Sequence, residues 1–206
     1  MSQRLCFLLI LCLASTTAGA CVKLKQQYPE RRAFVIEAKR PADESRPPLA
    51  ESVAVRRFHI SRMYEKSEFV YQKGDLRFES DFYNVFFVSP DVMITEQLRQ
   101  WLKDSGVFGQ TVDPVSSIAP AYIIEGSVAK LLGDYRAPDL PKAHIEIQCL
   151  LVAADSPTPV AIFQKDYSRI VAIKGSDAAS LAVGLNAGFQ EILVEFEKDL
   201  REALAK

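Results

Sequence analysis

Histidine occurs only twice, tryptophan once and cysteine four times in a chain of 206 residues. So few imidazole and thiol ligands leave little from which to build a metal centre or a histidine-driven nucleophile site. The spacings H-E-x-x-H, C-x-x-C and G-x-S-x-G are absent. Lys174-Gly175-Ser176 has its residues in the wrong order for a Walker motif and lacks the upstream glycine. It reads as a helix N-cap. An excess of one charge is missing as well. Lys+Arg 25 against Asp+Glu 26 gives a formal charge of −1. That balance argues against a nucleic-acid footprint and against a calcium buffer. With 49% hydrophobic and 25% charged residues, the chain is neither a disordered tail nor a polytopic membrane protein. No cofactor, metal or nucleic-acid partner is expected, and no catalytic residue stands out.

What is present begins with a leader. Arg4 is the only charged side chain in the first twenty residues, and an apolar run follows from Leu5 to Ala14. Ser15, Thr16 and Thr17 interrupt that run well before the ~20 residues that span a bilayer. A positive start, a short apolar run and a small-residue stretch make residues 1–20 a secretory signal peptide. Ala18-Gly19-Ala20-Cys21 places the cleavage between Ala20 and Cys21. The pattern looks like a bacterial lipobox, with Cys21 the lipidated residue. Ala18 departs from the leucine usual at that place and also suits the general signal peptidase. Both enzymes would cut the same bond, and they differ only in the lipid. Residues 21–32, with Lys23, Lys25, Arg31 and Arg32, read as a tether, and 33–206 as one domain. Val22, not Asp, follows the cysteine. By analogy with enteric sorting, this points to the periplasmic face of the outer membrane.

In Ile145-x-Ile147-x-Cys149-x-Leu151 the cysteine shares the apolar face of an alternating strand, so Cys149 is expected as a core hydrophobe. Other strands are expected at 33–37, 53–60, 121–132, 142–153 and 160–173. The alternation over 53–60 slips at Arg56-Arg57. Either a β-bulge or a strand end buried on both faces accommodates the slip. Residues 68–82 read as a hairpin turning at Gly74 with a positive φ, and Leu76, Phe78 and Phe82 share one face. Ser89-Pro90-Asp91 opens a helix that Gly106 closes. Ser176 or Asp177 caps a last, long helix. Its stripe is Leu181, Leu185, Phe189, Ile192, Phe196, Leu200 and Leu204. The fold class is α+β: an antiparallel or mixed β-sheet packed by two helices on one face, the C-terminal helix long and amphipathic.

Seven aromatics crowd positions 69–87. Core packing accounts for most of them. The functional alternative is a partner-binding surface built from Phe69, Tyr71, Tyr83, Phe86 and Phe87.

Several segments then recur in a familiar order. They are Val53-Ala54-Val55, Phe69-Val70-Tyr71, Tyr83 with Phe86, Ser89 and Pro90, and Thr95-Glu96-Gln97-Leu98. Gly106-Val107-Phe108, Ile124-Glu125-Gly126-Ser127-Val128 ahead of Asp134, and Phe163-Gln164-Lys165 complete them. Over most of residues 33–204 the chain resembles the ABC-type transport auxiliary lipoproteins, the group that includes the paraquat-inducible lipoprotein. Phe86 stands where many members carry tryptophan. The resemblance implies a non-enzymatic, periplasm-facing lipoprotein. It would serve a mammalian-cell-entry (MCE) type lipid or organic-solvent transporter as its docking component. The implied partners are the substrate-binding protein with its permease and ATPase, and the membrane through the N-terminal lipid. A homo-oligomer is compatible with it. The competing reading is an outer-membrane assembly or peptidoglycan-synthase activator lipoprotein of the same tethered design.

Overall fold

The computed structural model describes residues 29–41, 47–113, 115–154 and 158–205. The leader, Ala20 and Cys21 lie outside them. The fold is that of the unit Arg31–Lys206. Its strands are β1 (Arg32–Phe34), β2 (Ala50–Val55), β3 (His59–Ile60), β4 (Glu68–Gln72) and β5 (Phe78–Phe86). After helix α1 (Pro90–Ser105) come β6 (Phe108–Val112), β7 (Tyr122–Asp134), β8 (Lys142–Ala153) and β9 (Val160–Ala172). Helix α2 (Ala178–Leu204) ends the chain. The class is α+β, with a mixed sheet and two helices, as the sequence led us to expect.

Strand β7 organises the sheet. Along one edge it pairs antiparallel with β8 from Tyr122↔Ala153 to Asp134↔Lys142, and β8 pairs antiparallel with β9. Along its other edge lie three short strands end to end, all parallel to it. Val53–Val55 of β2 pair with Tyr122–Ile124, His59 and Ile60 of β3 with Ser127 and Val128, and Tyr71 and Gln72 of β4 with Gly133 and Asp134. Beyond β2 lies β6, and beyond β4 lie β5 and then β1.

At the Arg56-Arg57 slip the strand expected over 53–60 gains one residue over β7, from Val55↔Ile124 to His59↔Ser127, which is the offset of a bulge and restores the inward phase. The strand breaks there and resumes as β3, still along β7. The break turns Phe58 inward, where it is 2% exposed. Its ring lies on Gly126: a Cβ at that position would stand 2.4 Å from Phe58 Cε2 and 2.5 Å from the Gln148 carbonyl oxygen. Strand β6, which carries a glycine and two polar residues in five positions, was not expected from the sequence. The first strand is shorter than expected, yet Ile36 beyond its end is buried.

On β8, Ala143, Ile145, Ile147, Cys149 and Leu151 form the inward row, and Cys149 is a free, buried thiol as expected. Burial pushes its pKa well above the ordinary thiol value. Helix α2 lies over β8 and β9. Its 27 residues extend about 40 Å. Asp177 caps it, its Oδ1 accepting the Ser180 N–H at 2.8 Å. Leu181, Leu185, Phe189, Ile192, Phe196 and Leu200 are all at most 2% exposed. Each such burial stabilises by about 1.5–3 kcal/mol.

Helix α1 starts with Pro90 at its first turn and ends at Gly106, the one residue with positive φ (62°) among those described. The two helices meet through Glu197. Its carboxylate accepts from Trp101 Nε1 at 3.0 Å, from Arg40 at 2.8 Å through two nitrogens, and from Arg201. Arg201 also donates to the Ser105 carbonyl at the end of α1, at 2.7 Å. A carboxylate buried to 8% exposure is thereby fully engaged.

Candidate functional site

The aromatic segment 68–88 forms the predicted antiparallel hairpin, but its interior differs. Register runs Gln72↔Phe78, Tyr71↔Glu79, Val70↔Ser80 and Phe69↔Asp81, then jumps to Glu68↔Val85. Phe82, Tyr83 and Asn84 are therefore looped out as a bulge in β5. Asp81 holds that bulge. Its Oδ1 accepts the backbone N–H groups of Tyr83 (2.9 Å) and Asn84 (3.0 Å). Its Oδ2 accepts from Asn84 Nδ2 at 2.7 Å and from the Tyr71 hydroxyl at 2.8 Å. Burial raises the pKa of Asp81, but these donors outweigh it and hold the carboxyl below its usual value. The Tyr71 hydroxyl is pushed up by burial first and then by Asp81.

The bulge resets which aromatics face in. Phe69 and Phe86 are 1% and 4% exposed, with ring centroids 4.5 Å apart, and Phe34 of β1 lies 5.1 Å from Phe69. These rings join β1, β4 and β5 and offer nothing to a partner. Two of the five sequence candidates are therefore core. Tyr71 is half-buried, edge-on to Tyr135 at 5.3 Å, with Lys73 Nζ 4.5 Å from the Tyr135 ring. Tyr83 and Phe87 reach the surface, Phe87 at 72% exposure. Phe82, expected on a common face with Leu76 and Phe78, is 65% exposed and packs edge-on against Tyr83 at 5.3 Å. Leu76 sits in the open turn. Gly74 is not left-handed there, and the Lys73 N–H donates across the turn to the Arg77 carbonyl at 2.9 Å.

The chain enters the fold at this same place. Strand β1 pairs parallel with the end of β5, Arg32↔Asn84 to Phe34↔Phe86. Arg32 Nε donates to Asn84 Oδ1 at 3.0 Å, and the Arg31 guanidinium stands 5.7 Å from the Phe82 ring centroid. Sequence reading missed Phe82, Asp81 and the two arginines as members of one site. An aspartate directly before a Phe-Tyr pair was the available signal, since Asp accepts from the backbone two and three residues on.

The remaining polar groups of the described residues do not converge on a reaction centre. Among the described residues no three His, Cys, Asp or Glu side chains are grouped to hold a metal. A cleft of about 300 Å³ is lined by Arg56, Arg57, His59, Glu125 and Gln148 among others. Arg56 pairs with Glu125 and Arg57 with Asp91, so its cations are already neutralised. His144 Nε2 stands 3.3 Å from Ser168 Oγ and 3.8 Å from Glu146. Both groups approach the same ring nitrogen, whereas nucleophile activation needs the hydroxyl and the orienting carboxylate at opposite nitrogens of the imidazole base.

No family model matches the chain, and no curated protein matches it. Solved structures do. A Xanthomonas campestris protein of the family DUF330 superposes with a TM-score of 0.65 at 14% identity, over 82% of this chain and 90% of that one. A hypothetical protein from Chlamydia trachomatis superposes with a TM-score of 0.52 at 10% identity, over 73% of this chain and 98% of that one. At these identities the likeness is one of fold.

Proposed function

We propose that this protein is a non-enzymatic lipoprotein of the bacterial cell envelope, anchored through Cys21 to the periplasmic face of the outer membrane. It serves there as the docking component of an MCE-type ABC transporter of lipid or organic solvent. The ordered series of segments behind Cys21 carries this reading, because the fold gives several of them a structural purpose. Gly126 makes room for Phe58, Gly106 ends α1 in the left-handed conformation, and Phe69 and Phe86 pack together beneath β1. Lys165 pairs with Glu195 and Asp199 of α2, both at 2.7 Å. A fold shared with the DUF330 protein supports the same reading. Among the described residues no helix is long and apolar enough to cross a membrane.

The test is affinity capture from detergent-solubilised envelopes with wild-type protein and Cys21→Ala, followed by identification of the retained proteins. Retention of an MCE protein with its permease and ATPase is expected. Retention of outer-membrane assembly factors or a peptidoglycan synthase instead would overturn the transporter assignment. Palmitate labelling that is equal in wild type and Cys21→Ala would overturn the anchor.

A further inference from the structure

Most exposed apolar side chains of this protein are scattered singly, as on any surface. The edge made by β1 and the end of β5 is different. Val35, Phe82, Tyr83, Phe87 and Val88 are all exposed there, at 52%, 65%, 38%, 72% and 41%. Their grouping follows from the local backbone. The Asp81-held bulge turns Phe82 and Tyr83 outward, and the Phe87 N–H donates to the Phe34 carbonyl at 2.8 Å, carrying Phe87 past the last paired residue.

We propose that this edge rests on the lipid bilayer. Phe82, Tyr83 and Phe87 would sit at headgroup level, and Arg31 and Arg32 would face anionic phosphates. The proposal rests on the lipid anchor inferred above, and three observations favour a bilayer as the occupant. First, the edge is where the tether arrives. Nine residues separate Cys21 from Arg31, so the lipidated cysteine lies within about 36 Å of this edge in any conformation. An anchor that close turns a weak second contact into an intramolecular one, with an effective concentration in the millimolar range for a short flexible linker. Second, the charge is complementary. Between Val22 and Phe34 the sequence carries Lys23, Lys25, Arg31 and Arg32 against Glu30 alone. Basic residues beside an anchor are drawn to anionic lipid. Third, the side-chain chemistry is interfacial. Tyr83 pairs an apolar ring with a polar tip, and Phe82 lies under the Arg31 guanidinium. Aromatic rings with a polar partner concentrate at the level of the headgroups.

Trp101 is the single tryptophan and is 3% exposed, so a second tryptophan placed at the surface can be read against it. The experiment uses the full acylated protein in vesicles of equal parts phosphatidylethanolamine and phosphatidylglycerol, with and without brominated acyl chains. Phe87→Trp and Tyr83→Trp report from the edge, and Val183→Trp, 71% exposed on α2, is the control. Added emission that shifts to the blue on reconstitution and is quenched by the brominated chains at positions 87 and 83, but not at 183, is expected. Flotation with the vesicles without quenching at 87 and 83 would overturn the proposal while leaving the anchor intact. Protection of those positions only when the transporter's MCE protein is added would assign the edge to a protein partner and overturn it too. Failure of wild-type protein to float would overturn the anchor itself, and this proposal with it.

Discussion

The Tyr71 hydroxyl donates to Asp81 Oδ2 at 2.8 Å across the β4–β5 hairpin, ten residues apart in sequence. The bond joins a half-buried ring that packs on Tyr135 to the carboxylate that shapes the β5 bulge. It separates the aromatics of this segment into two populations. Phe69 and Phe86 pack in the core and Tyr71 is half-buried, whereas Phe82, Tyr83 and Phe87 are exposed.

Removing the Asp81 carboxylate should therefore affect both stability and the surface. Asp81→Ala leaves the Tyr71 hydroxyl and the Tyr83 and Asn84 amides without their acceptor, at a cost of about 1–3 kcal/mol for a buried group so orphaned. Tyr71→Phe deletes one of the four bonds and should cost about 1 kcal/mol. Urea unfolding of both variants checks this. Lower midpoints are expected, with Asp81→Ala the more damaging.

Glu197 receives Arg40, Arg201 and Trp101 at the meeting of the two helices. Glu197→Ala takes the shared carboxylate away from two largely buried guanidinium groups, whose side chains are each 16% exposed. Breaking such a buried pair costs about 3–5 kcal/mol. Circular dichroism melting should show Glu197→Ala among the least stable single variants, with Glu197→Gln between it and wild type. A melting temperature unchanged in Glu197→Ala would refute the role given to this cluster.

Gly126→Ala forces a methyl into the Phe58 ring and the Gln148 carbonyl. Overpacking of this kind costs about 1–3 kcal/mol. Phe58→Ala opens a cavity and destabilises by itself. The double variant should lose less than the sum of the two, because the methyl then enters space vacated by the ring. Additive losses in denaturant titrations would mean that the ring is not the obstacle.

Acid should weaken the fold in two stages. Burial first, then Lys130, lowers the pKa of His144, so the unfolded chain takes up its proton more readily than the folded one. That stability is present above the ordinary value of about 6.5 and is lost as pH falls through it toward the lower folded value. The carboxyls of Glu195 and Glu197 are also depressed, Glu195 chiefly by its hydrogen bond from Lys165. For Glu197, burial opposes the depression, and the bonds from Arg40 and the others outweigh it. Their contribution is full above the ordinary value of about 4.3 and is lost as pH falls below it through the folded values. Thermal melts at stepped pH should show a small loss near pH 6 that disappears in His144→Gln. A larger loss below pH 4 should be reduced in Glu197→Gln.

The elements read correctly from the sequence are those whose cause is local. The α2 stripe repeats every three or four residues, and each repeat from Leu181 to Leu200 is buried, so helical geometry alone places it. The alternation from Ile145 to Leu151 puts Cys149 inward without reference to any other strand. Gly106 and Pro90 mark the ends of α1 through their own backbone preferences. The order of the sheet is another matter. Nothing local to 53–55, 59–60 or 71–72 says that all three segments line one edge of β7, because that pairing is decided by hydrogen bonds across 60 or more residues. The same holds for the candidate site. Period-2 alternation sorts inward from outward residues only while the register is unbroken. Three looped-out residues reset that phase in β5. Phe86 therefore turns into the core and Phe87 out of it, although each is an aromatic within the same short run. The sequence by itself determined that aromatics gather at 69–87. Which of them are core and which are surface was decided by one carboxylate meeting a tyrosine on the neighbouring strand, a contact that exists only once the hairpin has folded.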